Sequence, residues 1–344
     1  MSIPRPPAPA CVGVCFGGFP GTNRHLSEIA RATGALRHLV LGTGDADSSE
    51  ITFFREHLVA IDPALVIFGS WHEVYEPLLA ERAERGRSAG LFWTSSAAQT
   101  DLSREAPTLM RLVRDPRVTH LFFASDEVAQ SFARAGKPCF VLPHVVATVP
   151  DEPTVQRGNA SDEAPPRITL FSSPNEYPRK NVLSCLLALA RTTRPHRLQL
   201  NGLSRRAEYA MLLEDLHIPF EDHGWMDDAA YARVIADAAL GLQVSLAESF
   251  DYVAFDHFLR GVPVVVSRMV PCAHGLPEHA ERSLVVRDPD SPAEIAERID
   301  DLLASRDARI ELGRVVREHA VRRNAENRAR VDAALSAALR PLIG

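Results

Sequence analysis

Residues 245–267, SLAESFDYVAFDHFLRGVPVVVS, set the fold. The segment follows a short apolar run, Leu240–Val244, and ends on another, Val262–Ser267, which Gly261 introduces as a turn. Between them, over Asp251–Leu259, apolar residues recur at helical spacing. Strand, loop, helix and strand in that order make a βαβ unit, with parallel strands and a right-handed crossover. Glu248 then falls in the loop after the first strand, and Asp256 on the second turn of the helix. The backbone N–H groups of Phe250, Asp251, Tyr252 and Val253 lie at the helix N-terminus, where orphan amides and the helix dipole favour an anion. An acid in such a loop can hydrogen-bond hydroxyl groups. A second acid on the helix can hold the vicinal hydroxyls of a ribose, as acids do in dinucleotide-binding folds.

Working outward, the same alternation fills the chain. Cys11–Phe16, Leu36–Leu41, Leu65–Gly69, Ser88–Trp93, Leu121–Ala124 and Cys139–Pro143 are expected as buried strands. Asn23–Ala32, Glu50–Ile61, Val74–Arg85, Ser103–Val113 and Glu127–Ala135 are expected as the helices between them. A second series runs from Ile168 to Ala304, with strands at Ile168–Phe171, Arg197–Leu200 and Ser283–Val286 beside the two already named. Its helices are expected at Asn181–Ala190, Ser204–Leu216, Asp227–Ala236 and Pro292–Ala304, and the Arg/Glu/Ala-rich tail from Arg306 is helical too. Residues 147–166, ATVPDEPTVQRGNASDEAPP, break the pattern with four prolines and almost no large apolar side chain, so they form a linker. The expected division is therefore an α/β domain over 1–146, the linker, a second α/β domain over 167–318, and a helix over 319–344 that packs back on the first domain. In doubly wound folds ligands bind beyond the carboxyl ends of the strands, so the chemistry belongs in the loops that follow them.

Composition narrows the function classes. The chain has 344 residues, 46% hydrophobic and 24% charged, which suits two globular domains. A net charge of −6 gives no general reason to bind nucleic acid or an anionic membrane, so any phosphate site must be a local basic feature. The odd, scattered count of five cysteines argues against a disulfide framework and for a reducing, cytoplasmic setting. Cys11 and Cys15 are four apart on one strand, hence on one face, and are expected as core thiols. The opening MSIPRPPAPA lacks the apolar stretch of a secretory signal, and no run of 18 apolar residues occurs. Peripheral contact with a membrane stays compatible with all of this.

The stretch from Glu248 to Val265, E-S-F-D-Y-V-A-F-D-H-F-L-R-G-V-P-V-V, resembles the signature of retaining GT-B glycosyltransferases of family 4 (glycosyl transferases group 1). Those proteins carry two acids eight positions apart, then G-x-P-V-V, and here Gly261, Pro263, Val264 and Val265 keep the register without a gap. Lys180-Asn181 resembles the family's Lys-Asn, and His223-Gly224-Trp225 before Asp227–Ala236 resembles the stretch that flanks the nucleotide base. Leu121–Ala135 and Pro143-His144-Val145 are similar to segments of the family's first domain. The resemblance implies two Rossmann-like domains, a nucleoside-diphosphate sugar as donor substrate, no metal and no further cofactor. It implies Glu248 on the sugar, Lys180 with Arg179 on the diphosphate, Asp256 on the ribose, and Gly224 and Trp225 beside the base. The acceptor stays unknown. The chain departs from the pattern in having Asp256 for glutamate, Asp251 for glycine, and Asn175 where an arginine is expected. Trp93-Thr94-Ser95 also stands where many members have a histidine. These departures motivate an alternative, a catalytically degenerate GT-B-like protein that binds a nucleotide, glycan or partner without transfer. A third reading is an epimerase or phosphorylase of the same fold.

The first domain offers weaker signals. Gly17 and Gly18 in Gly17-Gly18-Phe19-Pro20-Gly21 follow the first strand, where a glycine-rich turn suits either close approach of a ligand or plain chain reversal. His72, after Leu65–Gly69, is either a capping histidine or a ligand contact, and Thr94 and Ser95 complete the acceptor candidates. Asp45-Ala46-Asp47 spells a metal motif of a different glycosyltransferase fold, but Asp47 or Ser48 suits a helix N-cap better. The 13 histidines never pair at metal-ligand spacing with a third ligand, so no metal site is expected.

Overall fold

The computed structural model of the protein describes residues 10–18, 20–42, 48–96, 99–100, 103, 105–151, 164–172 and 179–343. The chain divides into two compact units, Met1–Thr148 with Asn324–Gly344, and Val149–Arg323.

The first unit carries β1 (Cys11–Phe16), α1 (Pro20–Thr33), β2 (Arg37–Leu41), α2 (Ser48–Ile61), β3 (Leu65–Gly69), α3 (Glu76–Glu84), β4 (Ser88–Trp93), α4 (Glu105–Arg114), β5 (His120–Phe123), α5 (Asp126–Ser131) and β6 (Cys139–Val141). The strands form one parallel sheet in the order β2-β1-β3-β4-β5-β6. Side chains alternate across it as the period of 2 requires. Val12, Val14, Val66 and Phe68 pack on one face with Tyr75, Leu78 and Leu79. Cys11, Cys15, Leu65 and Ile67 pack on the other with Leu26 and Ile29 of α1. Each such buried side chain contributes about 1.5–3 kcal/mol. Both cysteines are core thiols, and burial pushes each up to about 12, so they stay protonated and unreactive.

The second unit carries β7 (Arg167–Leu170), α6 (Val182–Arg191), β8 (Arg197–Leu200), α7 (Ala207–Asp215), β9 (Phe220–Asp222), α8 (Asp228–Ala236), β10 (Leu240–Gln243), α9 (Tyr252–Leu259), β11 (Val264–Ser267), α10 (Glu278–Leu284), β12 (Val285–Val286) and α11 (Pro292–Ala304). Its parallel sheet runs β12-β11-β10-β7-β8-β9, the dinucleotide-fold order. In both sheets the first strand, β1 or β7, has its successor on one side and a later strand on the other. That reversal leaves a crevice at the carboxyl ends of β1 and β3, and another at those of β7 and β10.

The last helix, α12 (Arg306–Ile343), serves both units, the first from Asn324 onward. Val331, Leu335, Ala338 and Leu339 complete the Cys11/Ile29 face of the first sheet. The Asn324 amide accepts from Val146 N and donates to Val146 O, both at 2.8 Å, and Asn327 Nδ2 donates to His144 O at 2.8 Å. Among the described residues no helix is long and apolar enough to cross a membrane.

Several elements depart from the sequence expectation. β9 was not anticipated: it is three half-buried residues, two of them acidic, on the edge of the sheet, where no apolar run is needed. Ser283–Val286 divides between the end of α10, at Ser283 and Leu284, and β12, where only Val285–Val286 pair in the sheet. Glu127–Ala135 shortens to α5, ending at Ser131, after which Phe132 N, Ala133 N and Ala135 N bond three residues back, to Ala129 O, Gln130 O and Phe132 O, in successive tight turns.

Candidate functional site

The second unit concentrates its charge at its switch point. Lys180 lies beyond β7, while Glu248 and Asp251 lie beyond β10, the neighbouring strand. Leu246 N donates to Arg179 O at 2.8 Å and stitches the two loops together. Arg179 Nη1 is 2.8 Å from Ala247 O and 2.6 Å from Glu248 Oε1. Lys180 Nζ is 2.7 Å from Glu248 Oε1 and 2.9 Å from Asp251 Oδ2. Lys180 and Glu248 are each 8% exposed and Asp251 5%, so the charges meet out of water. Burial opposes the ammonium of Lys180, but the carboxylates of Asp251 and Glu248 more than offset it and hold its pKa above the ordinary lysine range. Burial, helped by Asp251, pushes Glu248 upward against the pull of Lys180 and Arg179.

Asp251 is the N-cap of α9, in the left-handed region at φ 72°. That conformation suits glycine, which the family has at this position, and disfavours a residue with a Cβ. Its Oδ1 accepts from Ala254 N at 2.9 Å while Oδ2 takes Lys180. The rest of the motif builds the helix. The Phe250 ring packs on Phe255 and Tyr252, and Val253 joins the small core of Phe171, Ile235 and Val262. Asp256 is buried and accepts from the Tyr231 hydroxyl at 3.1 Å. His257 Nε2 sits 2.6 Å from Thr169 Oγ1 and Nδ1 2.7 Å from Val253 O, tying α9 to β7. Burial pulls this imidazole down to about 4, so it stays neutral.

At the end of β9, Asp222 Oδ1 accepts from Gly202 N at 2.6 Å and Gly224 N at 2.9 Å, and its Oδ2 accepts from Ser204. Gly224 has φ 65°, and a Cβ there would meet the Arg205 guanidinium. Next to it Trp225 is 82% exposed, an unusual place for an indole with no core to fill.

The first unit has a neutral counterpart at its own switch point. Thr22 Oγ1, one turn into α1, is 2.9 Å from both Ser70 Oγ beyond β3 and Thr94 Oγ1 beyond β4. His72 Nδ1 accepts from Val74 N at 3.3 Å, capping a single 3-10 turn, and its ring stacks on Phe16 with centroids 4.0 Å apart. Gly17 N donates to Leu41 O at 2.9 Å, and Gly18 must lack a side chain because a Cβ would strike the Phe16 ring. Ser95 is half-buried beside Thr94. Asp45, Asp47, Phe19 and Asn175 lie outside the described residues. Among the described residues no group of three His, Cys, Asp or Glu side chains could hold a metal ion.

Three neighbours escaped the sequence reading. Tyr231 is one face residue of an amphipathic helix, and only packing directs its hydroxyl to Asp256. Ser70 has a positional signal, since it directly follows β3 at the switch point, whereas Thr22 lies inside α1 and only packing brings it to Ser70 and Thr94.

Residues 165–305 match the family model described as Glycosyl transferases group 1. HepE of Anabaena, solved with UDP and glucose, shares 15% identity over 97% of this chain and 100% of its own, with a TM-score of 0.73. WaaG, a glycosyltransferase involved in lipopolysaccharide biosynthesis, shares 15% identity over 97% and 100%, with a TM-score of 0.63. Sucrose-phosphate synthase of Thermosynechococcus elongatus shares 14% over 96% of each chain, at 0.64. At these identities the likeness is one of fold. No curated protein sequence matches the chain. The fold is GT-B, and within its second unit residues 165–305 are similar to the group 1 glycosyltransferases.

Proposed function

We propose that the protein is a retaining glycosyltransferase that moves a sugar from a nucleoside-diphosphate sugar to an acceptor hydroxyl without a metal or further cofactor. The observation that carries this reading is the meeting of Lys180, Arg179 and Glu248 beside the N-terminus of α9, at the β7/β10 switch point. When the bond from the anomeric carbon to the β-phosphate oxygen breaks, negative charge grows on the diphosphate. Lys180, Arg179 and the α9 amides stabilise that charge, and such preorganised groups are worth about 10²–10³ in rate each. Glu248 orients the sugar, Asp256 the ribose, and Gly224 and Trp225 border the base. In the first unit Gly17, Gly18, His72, Thr94 and Ser95 receive the acceptor. That HepE was solved with UDP and glucose supports a nucleotide sugar as the donor class.

A second reading, a domain pair that binds a nucleotide without transferring sugar, is favoured by the engagement of Lys180 with two carboxylates at once. Thermal unfolding with millimolar UDP, GDP, ADP or dTDP, on wild type and Lys180→Ala, first tests the nucleotide site that both readings share. Ligand at 100 times its Kd adds about 2.7 kcal/mol and raises the midpoint by several degrees. One nucleotide is expected to raise the wild-type midpoint and to lose its effect in Lys180→Ala. Turnover of the matching nucleotide sugar, abolished in Glu248→Ala, then distinguishes transfer from binding. No shift with any nucleotide removes the donor-site reading.

A further inference from the structure

The Asp251 carboxylate sits where an anionic ligand would sit. One oxygen takes an N–H at the start of α9, from Ala254 at 2.9 Å, and the other takes Lys180 Nζ at 2.9 Å. Its side chain is 0% exposed, so the pairing is sealed from water rather than resting on the surface. It also holds a backbone conformation, φ 72°, that a residue with a Cβ adopts at a cost. Capping alone does not need this arrangement, since Ser, Thr or Asn caps a helix without a charge. What the carboxylate adds is the contact with Lys180. Glu248 brings a second carboxylate to the same Nζ, and Arg179 balances it, so the cluster of two cations and two anions is neutral as it stands. A diphosphate entering that neutral cluster meets two buried carboxylates. With Asp251 swung away, it meets two cations and one.

We propose that Asp251 is a tethered anion occupying the diphosphate seat, so that a donor binds Lys180 only by displacing it. The proposal rests on the donor-site reading above. It makes Asp251 the residue that sets the affinity of the seat, and it requires base and sugar contacts to drive the displacement. A bare diphosphate, which has neither, is therefore rejected by the wild type.

The test is calorimetric titration of inorganic pyrophosphate into wild type, Asp251→Gly and Asp251→Asn, with folding checked by circular dichroism. Glycine relieves the backbone and opens the seat. Asparagine keeps the size and the cap but removes the charge, and carries the test if the glycine variant fails to fold. Both variants are expected to bind pyrophosphate at least tenfold tighter than wild type. Equal or weaker binding by a folded Asp251→Asn overturns the proposal, including the case where only Asp251→Gly gains, because charge would then not be the cause. If the wild type responds to a nucleoside diphosphate yet no variant gains for pyrophosphate, the tethered-anion idea falls and the donor site stands. If nothing binds to any of the three proteins, both fall together.

Discussion

Beyond β7 and β10 the chain places two cations and two carboxylates, while beyond β1, β3 and β4 it places three linked hydroxyls and a capping imidazole. The two crevices arise from the same topological reversal, so the backbone does not account for the difference. Side-chain chemistry does. A buried ion cluster is costly to assemble and costlier to leave incomplete, because a charge that loses its partner keeps its desolvation penalty. Three hydroxyls that donate and accept among themselves can re-pair when one is lost. The charged crevice therefore suits a ligand that carries charge of its own, and the neutral one suits a ligand recognised by hydroxyl contacts.

This contrast can be broken most sharply at Lys180. Lys180→Met removes the ammonium and leaves the buried Glu248 and Asp251 carboxylates facing one another, so a loss of about 3–5 kcal/mol is expected in denaturant unfolding. Thr22→Val, which removes two hydroxyl contacts in the first unit, is expected to cost only about 1 kcal/mol. Comparable losses would mean the hydroxyl cluster is as critical as the charged one.

Acid should weaken both units, since each contains a fully buried histidine whose pKa burial pulls down. Burial pulls His25 and His257 from 6.5 down to about 4. The folded forms stay neutral while the unfolded chain takes up protons below its ordinary value of 6.5. Stability is therefore full above that pH and falls as pH drops towards about 4, by on the order of 3 kcal/mol for each histidine. Unfolding free energies measured between pH 7 and pH 4 should show this slope. His257→Gln should flatten it for the second unit alone, and an unchanged slope in that variant would exclude His257 as a source.

The smallest effect is expected at Trp225. With its indole exposed, Trp225→Ala should leave stability within about 0.5 kcal/mol of wild type. It should weaken nucleotide binding about fivefold if the ring borders the base, as aromatic contacts of roughly 1 kcal/mol do. Unchanged nucleotide affinity would remove Trp225 from the site and leave the charged cluster as its whole basis.

Much of this was legible from local pattern. The period of 2 in Cys11–Phe16 placed Cys11 and Cys15 on one face, and the strand–loop–helix order of 240–259 placed Glu248 in a loop and Asp256 on a helix. These features follow from residues within one element, whose spacing reports which side is buried. The edge strand Phe220–Asp222 escaped because a half-exposed strand has no apolar run to show. The sequence leaves His72 open between cap and ligand because capping depends on how the next turn folds, and the structure shows the Nδ1 contact from Val74 N.

The sequence by itself determined the α/β alternation, the loops that follow the strands, and the resemblance of Glu248–Val265 to a glycosyltransferase signature. Only the tertiary structure decided that Asp251 closes on Lys180, 71 positions away, and that Tyr231 faces Asp256. It also decided which residues of α12, Val331, Leu335, Ala338 and Leu339, complete the core of the first sheet. The physical reason is one of range: periodicity encodes which face of an element avoids water. Which charges then meet depends on strand order, and strand order is fixed by the packing of the whole unit.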